Sequence, residues 1–310
     1  MPKILITPRS FASYEKEPYE QLNENGFTVI DHPKGSILTK DEMKQYIREA
    51  DAVLVGVDPL DEEVLACAPN LKVISKYGVG TDNIDLAYCR KHDIAVTVTR
   101  GANSDAVADY AFMLMLAVAR RVAEIDSGCR NGDWKKRVAV DVYGKKLGIL
   151  GLGAIGKGVA KRAEGFAMDI YGFDVYRDES FIREHNIHFT DVETIMRECD
   201  FISIHLPLSE DTHHLIDRAM LQKAKPNLVL VNTARGGIVD EDDLYDAICA
   251  KEILGAGIDV FEKEPASSSK LLVLPEVIIG SHCAASTIGA VDKMSRMAVD
   301  NILSIWKENC

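Results

Sequence analysis

Short apolar runs rich in β-branched residues alternate with amphipathic segments from one end of this chain to the other. Such near-continuous apolar runs are typical of strands buried on both faces, and the segments between them carry helical spacing. We therefore predict an α/β fold with parallel sheets covered by helices. The predicted strands are KILIT (3–7), FTVID (27–31), AVLVG (52–56), KVIS (72–75), IAVTVT (94–99), KLGILG (146–151), DIYGFD (169–174), FISIHL (201–206), LVLVNT (228–233), GAGIDV (255–260) and VIIGSH (277–282).

A long helical pattern over residues 104–131 interrupts this alternation once, with the apolar run YAFMLMLAVA at its centre. We predict one long helix there and interpret it as the connector between two lobes, because it exceeds the usual length of a globular helix. The length of 310 residues agrees with two domains of about 150 residues each. A last helix is predicted over residues 288–306.

Charge and cysteine content exclude several classes of protein. The net charge of −12 argues against binding to nucleic acid or to an anionic membrane surface, since Lys and Arg supply that affinity. The amino terminus shows no apolar segment long enough for a secretion signal, so we expect a cytoplasmic protein. Seven scattered cysteines without a C-x-x-C pair indicate free thiols in a reducing compartment and no metal site.

The segment Gly151-Leu152-Gly153-Ala154-Ile155-Gly156 has the G-x-G-x-x-G spacing of a dinucleotide-binding turn. Alone, the pattern also fits a purely structural glycine turn. Here it directly follows a predicted strand and opens a helix, whose amino terminus can hold a pyrophosphate. Asp174 ends the next strand, where an acid binds the ribose hydroxyls and repels a 2′-phosphate. We therefore predict NAD rather than NADP; Arg177 is interpreted as a solvated charge, although it could soften that preference.

Three later segments place polar groups at the ends of predicted strands: 232–237 (NTARGG), 259–265 (DVFEKEP) and 281–282 (SH). Open α/β sheets bind ligands at the carboxyl ends of their strands. Together these segments supply an arginine to hold an anion, a carboxylate and an imidazole to carry a proton. Each residue alone also has a structural explanation.

Combined with the dinucleotide motif, these segments resemble the D-isomer-specific 2-hydroxyacid dehydrogenases, nearest to the phosphoglycerate dehydrogenase branch. The resemblance covers nearly the whole chain. It rests on the segments KYGVGTDNIDL (76–86), GANSDAVADYAFMLML (101–116), LGILGLGAIG (147–156), HLPLSEDTHHLI (205–216), VNTARGGIVDEDDL (231–244) and DVFEKEP (259–265).

The resemblance implies an NAD-dependent oxidoreductase that interconverts a small D-2-hydroxy acid and its 2-keto acid. Arg235 is expected to bind the substrate carboxylate and polarise the carbonyl group. His282 is expected to be the acid–base, and Glu264, rather than Glu262, to orient its imidazole and favour the protonated form.

The resemblance also implies further contacts and an architecture. The Val79–Gly80 turn is expected to offer N–H groups to the substrate carboxylate. The fold class is two doubly wound parallel-sheet domains, with a Rossmann NAD-binding domain (100–283) inserted in a flavodoxin-like substrate domain (1–99 plus 284–310). A homodimer is the family default. Further residues that line the cofactor pocket in the resemblance are Pro207, Thr233, Ala234 and Asp259.

The chain departs from the phosphoglycerate dehydrogenase pattern at two places. No cation follows the third strand, in residues 55–60, so another group must handle the distal end of the substrate; Arg9 and Arg100 are candidates, with ordinary surface charge as the alternative. Ser281 stands before His282, where a proline is usual, and Cys283 follows. An NAD-sensing corepressor of the same fold is the alternative function, whereas formate dehydrogenases would carry a glutamine in place of Glu264.

Overall fold

The computed structural model describes residues 1–32 and 35–309. The chain forms two compact units: unit 1 contains Met1–Asn103 with Ser286–Cys310, and unit 2 contains Ser104–Ala285. The strands are β1 (Lys3–Ile6), β2 (Thr28–Ile30), β3 (Ala52–Val55), β4 (Val73–Lys76), β5 (Ala95–Val98), β6 (Lys146–Leu150), β7 (Asp169–Phe173), β8 (His188–Phe189), β9 (Phe201–Ile204), β10 (Val229–Asn232), β11 (Gly255–Ile258) and β12 (Val277–Ile279). The α-helices are α1 (Glu17–Glu24), α2 (Lys40–Tyr46), α3 (Glu62–Leu65), α4 (Leu86–Lys91), α5 (Ser104–Ala119), α6 (Val122–Arg130), α7 (Ala154–Glu164), α8 (Glu179–Glu184), α9 (Val192–Glu198), α10 (Arg218–Leu221), α11 (Glu241–Cys249) and α12 (Ile288–Asn309).

Unit 1 is a parallel sheet in the order β2-β1-β3-β4-β5. Successive side chains of a strand point to opposite faces, so each central strand supplies two cores. Ile4 and Ile6 pack on the face covered by α1 and α12, whereas Leu5 packs on the face covered by α2, α3 and α4. The strand order reverses between β1 and β3, where such sheets open a crevice for ligands at their carboxyl edge.

Unit 2 is a parallel sheet in the order β12-β11-β10-β9-β6-β7-β8. Val229 and Val231 of β10 pack beneath α5 and α7, while Leu230 packs on the opposite face with α9 and α11. The order changes between β6 and β9, so the ends of these two strands border the crevice of this sheet. Both units thus confirm the predicted doubly wound fold class.

Every strand predicted from the sequence is present, and most end one to three residues earlier than predicted. The last residues of the predicted strands, such as Gly151, Asp174 and Thr233, instead belong to the loops at the carboxyl edge of unit 2. Strand β8, with two residues, was not predicted because it is too short to show an apolar pattern. Among residues 1–32 and 35–309, no helix has the length and apolar character needed to cross a membrane.

The prediction of a single helix over residues 104–131 is wrong. Helix α5 ends at Ala119, and α6 begins at Val122 after Arg121, whose backbone is left-handed with φ 53°. The N–H of Arg121 bonds to the Val118 carbonyl at 3.0 Å, a tightened last turn that ends the helix. Helix α5 has a buried apolar side, but α6 has no buried residue, so packing does not extend the first helix into the second.

Candidate active site

The glycine turn after β6 has the geometry that its sequence requires. Gly151 has φ +103°, and a Cβ there would lie 2.7 Å from the His205 carbonyl. A Cβ on Gly156 would lie 1.9 Å from the Gly151 oxygen, so both positions need glycine. Gly153 precedes α7 without a side-chain cap, and a Cβ there would meet no atom within 4 Å. The first turn of α7, with Ala154 and Ile155, therefore has space for an anion at its amino terminus.

Asp174 follows β7 and is held by two backbone groups. Its Oδ2 accepts the Leu152 N–H at 2.6 Å and its Oδ1 accepts the Tyr176 N–H at 2.9 Å. Arg177 instead places its Nε 2.7 Å from Glu179 and its guanidinium over the Phe189 ring. The carboxylate at the end of β7 is thus fixed beside the glycine turn, while Arg177 is engaged with other side chains.

Two polar atoms at the ends of β9 and β10 are buried without a hydrogen-bond partner in the described part of the chain: Thr233 Oγ1 and His205 Nδ1. The other ring nitrogen of His205, Nε2, lies 2.8 Å from the Ser203 hydroxyl oxygen. Burial lowers the pKa of His205 to about 3, so its ring is neutral at neutral pH. Buried polar atoms normally have partners, and these two lie at the edge of the sheet that carries the glycine turn. Together with that turn, they fit a bound dinucleotide.

The loop around these atoms is ordered by its own side chains. Asn232 accepts the Ala234 N–H at 3.0 Å and donates to the Arg235 carbonyl at 2.7 Å. The carbonyl of Pro207 accepts the Thr212 hydroxyl at 2.7 Å. His205 was not assigned a role from the sequence, although it opens the HLPLSEDTHHLI segment and follows a strand directly.

His282 and Glu264 meet at the same edge of unit 2. His282 Nδ1 lies 2.9 Å from Glu264 Oε2, and both side chains are partly exposed. Glu264 Oε1 accepts the Phe261 N–H at 3.1 Å. Burial by itself raises the pKa of Glu264, but the His282 hydrogen bond and charge, the Phe261 N–H and the Arg235 charge together lower it below the ordinary glutamate value. This carboxylate therefore stays ionised at neutral pH.

The neighbouring acid, Glu262, is engaged elsewhere. Its Oε1 lies 2.9 Å from His214 Nε2, and Asp240 flanks the other nitrogen of that imidazole at 3.2 Å. Arg235 is partly buried and donates from one terminal nitrogen to the Ala234 carbonyl at 2.7 Å. Of the two glutamates in the DVFEKEP segment, Glu264 is thus the one in contact with His282.

Asp259, which is 1% exposed, holds the turn that carries His282. Its carbonyl accepts the His282 N–H at 2.8 Å. Its carboxylate accepts the Cys283 N–H at 3.0 Å and the Ala284 N–H at 2.9 Å. The Cys283 thiol also lies 3.3 Å from the Tyr110 hydroxyl. His282 itself has φ 56°, a backbone conformation that residues other than glycine rarely adopt. The hydrogen bonds to Asp259 hold the turn in this conformation.

In unit 1, the Val79–Gly80 turn follows β4 at the carboxyl edge of that sheet. The adjacent Gly78 N–H donates to Thr99 Oγ1 at 2.8 Å. Arg9 and Arg100 are both exposed. Within the described ranges, no group of three or more His, Cys, Asp or Glu side chains is placed to hold a metal ion.

The sequence and the fold of this chain are similar to those of known dehydrogenases. Residues 112–284 match the family described as D-isomer specific 2-hydroxyacid dehydrogenase, NAD binding domain. A glyoxylate reductase of Thermococcus litoralis is 38% identical, covering 99% of this chain and 94% of its own. A hydroxypyruvate reductase of Thermotoga maritima is 38% identical over 87% of this chain and 89% of its own. The structure of the Aquifex aeolicus D-lactate dehydrogenase with NAD and lactic acid has a TM-score of 0.85 and 27% identity, covering 99% of this chain and 96% of its own.

These relatives confirm the family and refine two expectations. They carry the names of glyoxylate, hydroxypyruvate and lactate enzymes, so the phosphoglycerate dehydrogenase branch is not singled out. They are enzymes by name, so the corepressor alternative finds no support. The match to an NAD-binding domain agrees with the glycine turn, Asp174 and the two buried polar atoms. The chain belongs to the D-isomer specific 2-hydroxyacid dehydrogenases and is an NAD-dependent oxidoreductase of that family.

Proposed function

We propose that this protein reduces short 2-keto acids with an uncharged distal end, such as glyoxylate and hydroxypyruvate, to the corresponding 2-hydroxy acids. The observation that carries the proposal is the 2.9 Å pair of His282 and Glu264 on the sheet edge that holds the glycine turn. The names of the relatives support the substrate class. Unit 2 then binds NAD, and unit 1 contributes to substrate binding.

The roles of the side chains follow from their chemistry. NAD, when bound, supplies or accepts the hydride. Thr233, Ala234, Pro207 and the glycine turn would hold it, and Asp174 would bind its ribose hydroxyls. Glu264 occupies Nδ1 of His282, which leaves Nε2 to give a proton to the carbonyl oxygen during reduction and to take it back during oxidation.

Each unit offers hydrogen-bond donors suited to a substrate carboxylate. The guanidinium of Arg235 is a planar donor suited to a carboxylate. In unit 1, the N–H groups of Val79 and Gly80 are the proposed donors to a substrate carboxylate. A positioned proton donor such as His282 contributes a rate factor of about 10²–10⁴, which corresponds to roughly 3–5 kcal/mol.

The distal specificity follows from the segment after β3. Asp58 lies there, and its buried carboxylate accepts the Leu38 N–H at 2.8 Å and the Thr7 hydroxyl. This segment, residues 56–60, contains no cation that could hold a phosphate. We therefore place hydroxypyruvate ahead of its 3-phosphate as a substrate.

A homodimer through unit 2 is part of the proposal, whereas the cytoplasmic location stays a prediction from the sequence. Helix α6 and the segment after it expose a row of apolar side chains, which suits a second copy of this chain. They are Val122, Ile125, Trp134, Val138 and Tyr143, with Trp134 80% exposed. Size-exclusion chromatography with light scattering should show a dimer for the wild type and a monomer for Trp134→Glu. A monomeric wild type would contradict the proposed homodimer.

The test of the function is the oxidation of NADH, followed by absorbance, with a panel of 2-keto acids. The panel contains glyoxylate, hydroxypyruvate, pyruvate and 3-phosphohydroxypyruvate. We expect turnover with the first two and D-glycerate as the product from hydroxypyruvate. Absence of turnover with every member of the panel would overturn the proposal.

A further inference from the structure

Lys76, the last residue of β4, is a buried lysine: it is only 6% exposed. Lysine is almost never buried without partners, because its ammonium loses hydration. Here the ammonium donates to the Gly56 carbonyl and, at 2.9 Å, to Asn83 Oδ1. Gly56 follows β3 and Asn83 precedes α4, so one charged group connects the loops that follow two neighbouring strands.

Asn83 strengthens the same connection from its other end. Its amide donates to the Gly56 carbonyl at 3.2 Å and to the Asp58 carbonyl at 2.5 Å. Lys76 and Asn83 stand at the two ends of the segment 77–82, which contains the Val79–Gly80 turn. Both ends of that segment are thus fixed to the chain after β3.

Gly78, which precedes the turn, lies near the lysine side chain. A Cβ on Gly78 would be 4.0 Å from Lys76 Cε, so the aliphatic stem lies next to this glycine. On its other side the turn is held by Thr99, which accepts the Gly78 N–H through Oγ1 and donates its own N–H to the Gly78 carbonyl at 2.9 Å. The segment that carries the Val79 and Gly80 N–H groups is therefore held by Lys76, Asn83 and Thr99 together.

We propose that Lys76 is a positioning residue for substrate binding, which fixes the Val79–Gly80 turn and places a positive charge close to it. This inference rests on the proposed function, in which that turn binds the substrate carboxylate. Burying the ammonium costs it hydration, and its hydrogen bonds only offset that cost, so stability alone does not explain this lysine. Its charge does, however, favour an anion near it, and the chain as a whole is acidic.

The experiment compares Lys76→Met with Lys91→Met, a control that removes an exposed lysine of α4. The probe is oxamate, a non-reacting mimic of a 2-keto acid, titrated into the enzyme–NADH complex by NADH fluorescence. We expect Lys76→Met to raise the oxamate Kd and the glyoxylate KM about tenfold, the effect of one lost charged hydrogen bond. The Kd of NADH should be unchanged, as should kcat at saturation. Lys76→Arg, which keeps the charge, should recover part of the lost affinity.

A purely structural lysine gives a different result. Lys76→Met would then lower the melting temperature or the active fraction while the oxamate Kd stays at the wild-type value, and this outcome overturns the inference. If Lys76→Met does not fold, Lys76→Gln, which keeps a donor but removes the charge, is judged by the same comparison. A wild type that neither binds oxamate nor turns over a 2-keto acid contradicts the proposed function itself, and the inference falls with it.

Discussion

His282 Nδ1 lies 2.9 Å from one oxygen of Glu264, and the other oxygen of that carboxylate accepts the Phe261 N–H at 3.1 Å. The carboxylate is therefore fixed at both oxygens, and it fixes the imidazole. The pKa of Glu264 is lowered despite its partial burial, because the hydrogen bonds and the His282 and Arg235 charges outweigh desolvation. The pair stays intact as the pH falls until it passes through this lowered pKa.

Glu264→Gln should therefore change the acid side of the pH profile. The neutral amide removes the carboxylate charge that faces His282 Nδ1 and holds the imidazole less firmly, so kcat/KM for keto-acid reduction should fall about 10–100-fold at neutral pH. The pKa of Glu264 is lowered in the folded protein, so its carboxylate is fully ionised above the pKa of an ordinary glutamate. Its contribution to kcat/KM is lost as the pH falls through the lowered pKa. The wild-type advantage over the variant should disappear in that acidic range. Equal pH profiles for the two proteins would remove Glu264 from this role.

Asp259→Asn tests the support of the His282 turn. The amide keeps the size of the side chain but turns an NH₂ group toward the Cys283 or Ala284 N–H, where two donors oppose each other. We expect kcat to fall about tenfold or more, a larger change than any rise in the Kd of NADH that the expected place of Asp259 in the cofactor pocket causes. Cys283→Ala, which keeps the backbone N–H, is the matched control. A weaker NADH affinity with normal kcat would instead assign Asp259 to cofactor binding alone.

Asp174 should set the choice between NAD and NADP. Its carboxylate is fixed after β7 and would lie near a 2′-phosphate, so we expect catalytic efficiency with NADH to exceed that with NADPH about tenfold or more. Asp174→Ser should reduce this ratio, whereas Asp169→Ser at the opposite end of β7 should leave it unchanged. A wild-type ratio near one would contradict the role given to Asp174.

Arg9 and Arg100 test the distal end of the substrate. Both are exposed, and the proposed substrates have no distal charge. Arg9→Ala and Arg100→Ala should therefore change kcat/KM equally for pyruvate and for a dianionic keto acid such as oxaloacetate. A loss specific to the dianion, by about tenfold, would show that one of them binds a distal anion.

Most strands could be predicted because the central ones bury both faces and so leave an apolar run in the sequence. The glycine turn and Asp174 also follow from strand ends, whereas the roles of Arg235, Glu264 and His282 were predicted only from the family resemblance. The break at Arg121 could not be predicted, since charged residues are common within helices and the left-handed turn depends on what α5 packs against. The helical spacing of residues 104–131 therefore does not distinguish one long helix from two consecutive ones.

Lys76 shows a second limit of the sequence. A lysine after an apolar strand is ordinarily taken as solvated, and only the fold brings Gly56 and Asn83 to its ammonium. The same holds for His205, since only the fold brings the Gly151 turn against its backbone carbonyl. Both residues lie at the ends of strands that the sequence predicts, so their positions were predictable but their contacts were not.

The most direct test of the account is a single-turnover measurement of NADH oxidation by hydroxypyruvate with the wild type and His282→Asn. The account predicts that both proteins bind NADH with similar Kd, because His282 is not assigned to cofactor binding. The rate of hydride transfer in the variant should fall by about 10²–10⁴, the usual contribution of a positioned proton donor. A variant that transfers hydride at nearly the wild-type rate would contradict the central claim that His282, held by Glu264, moves the proton.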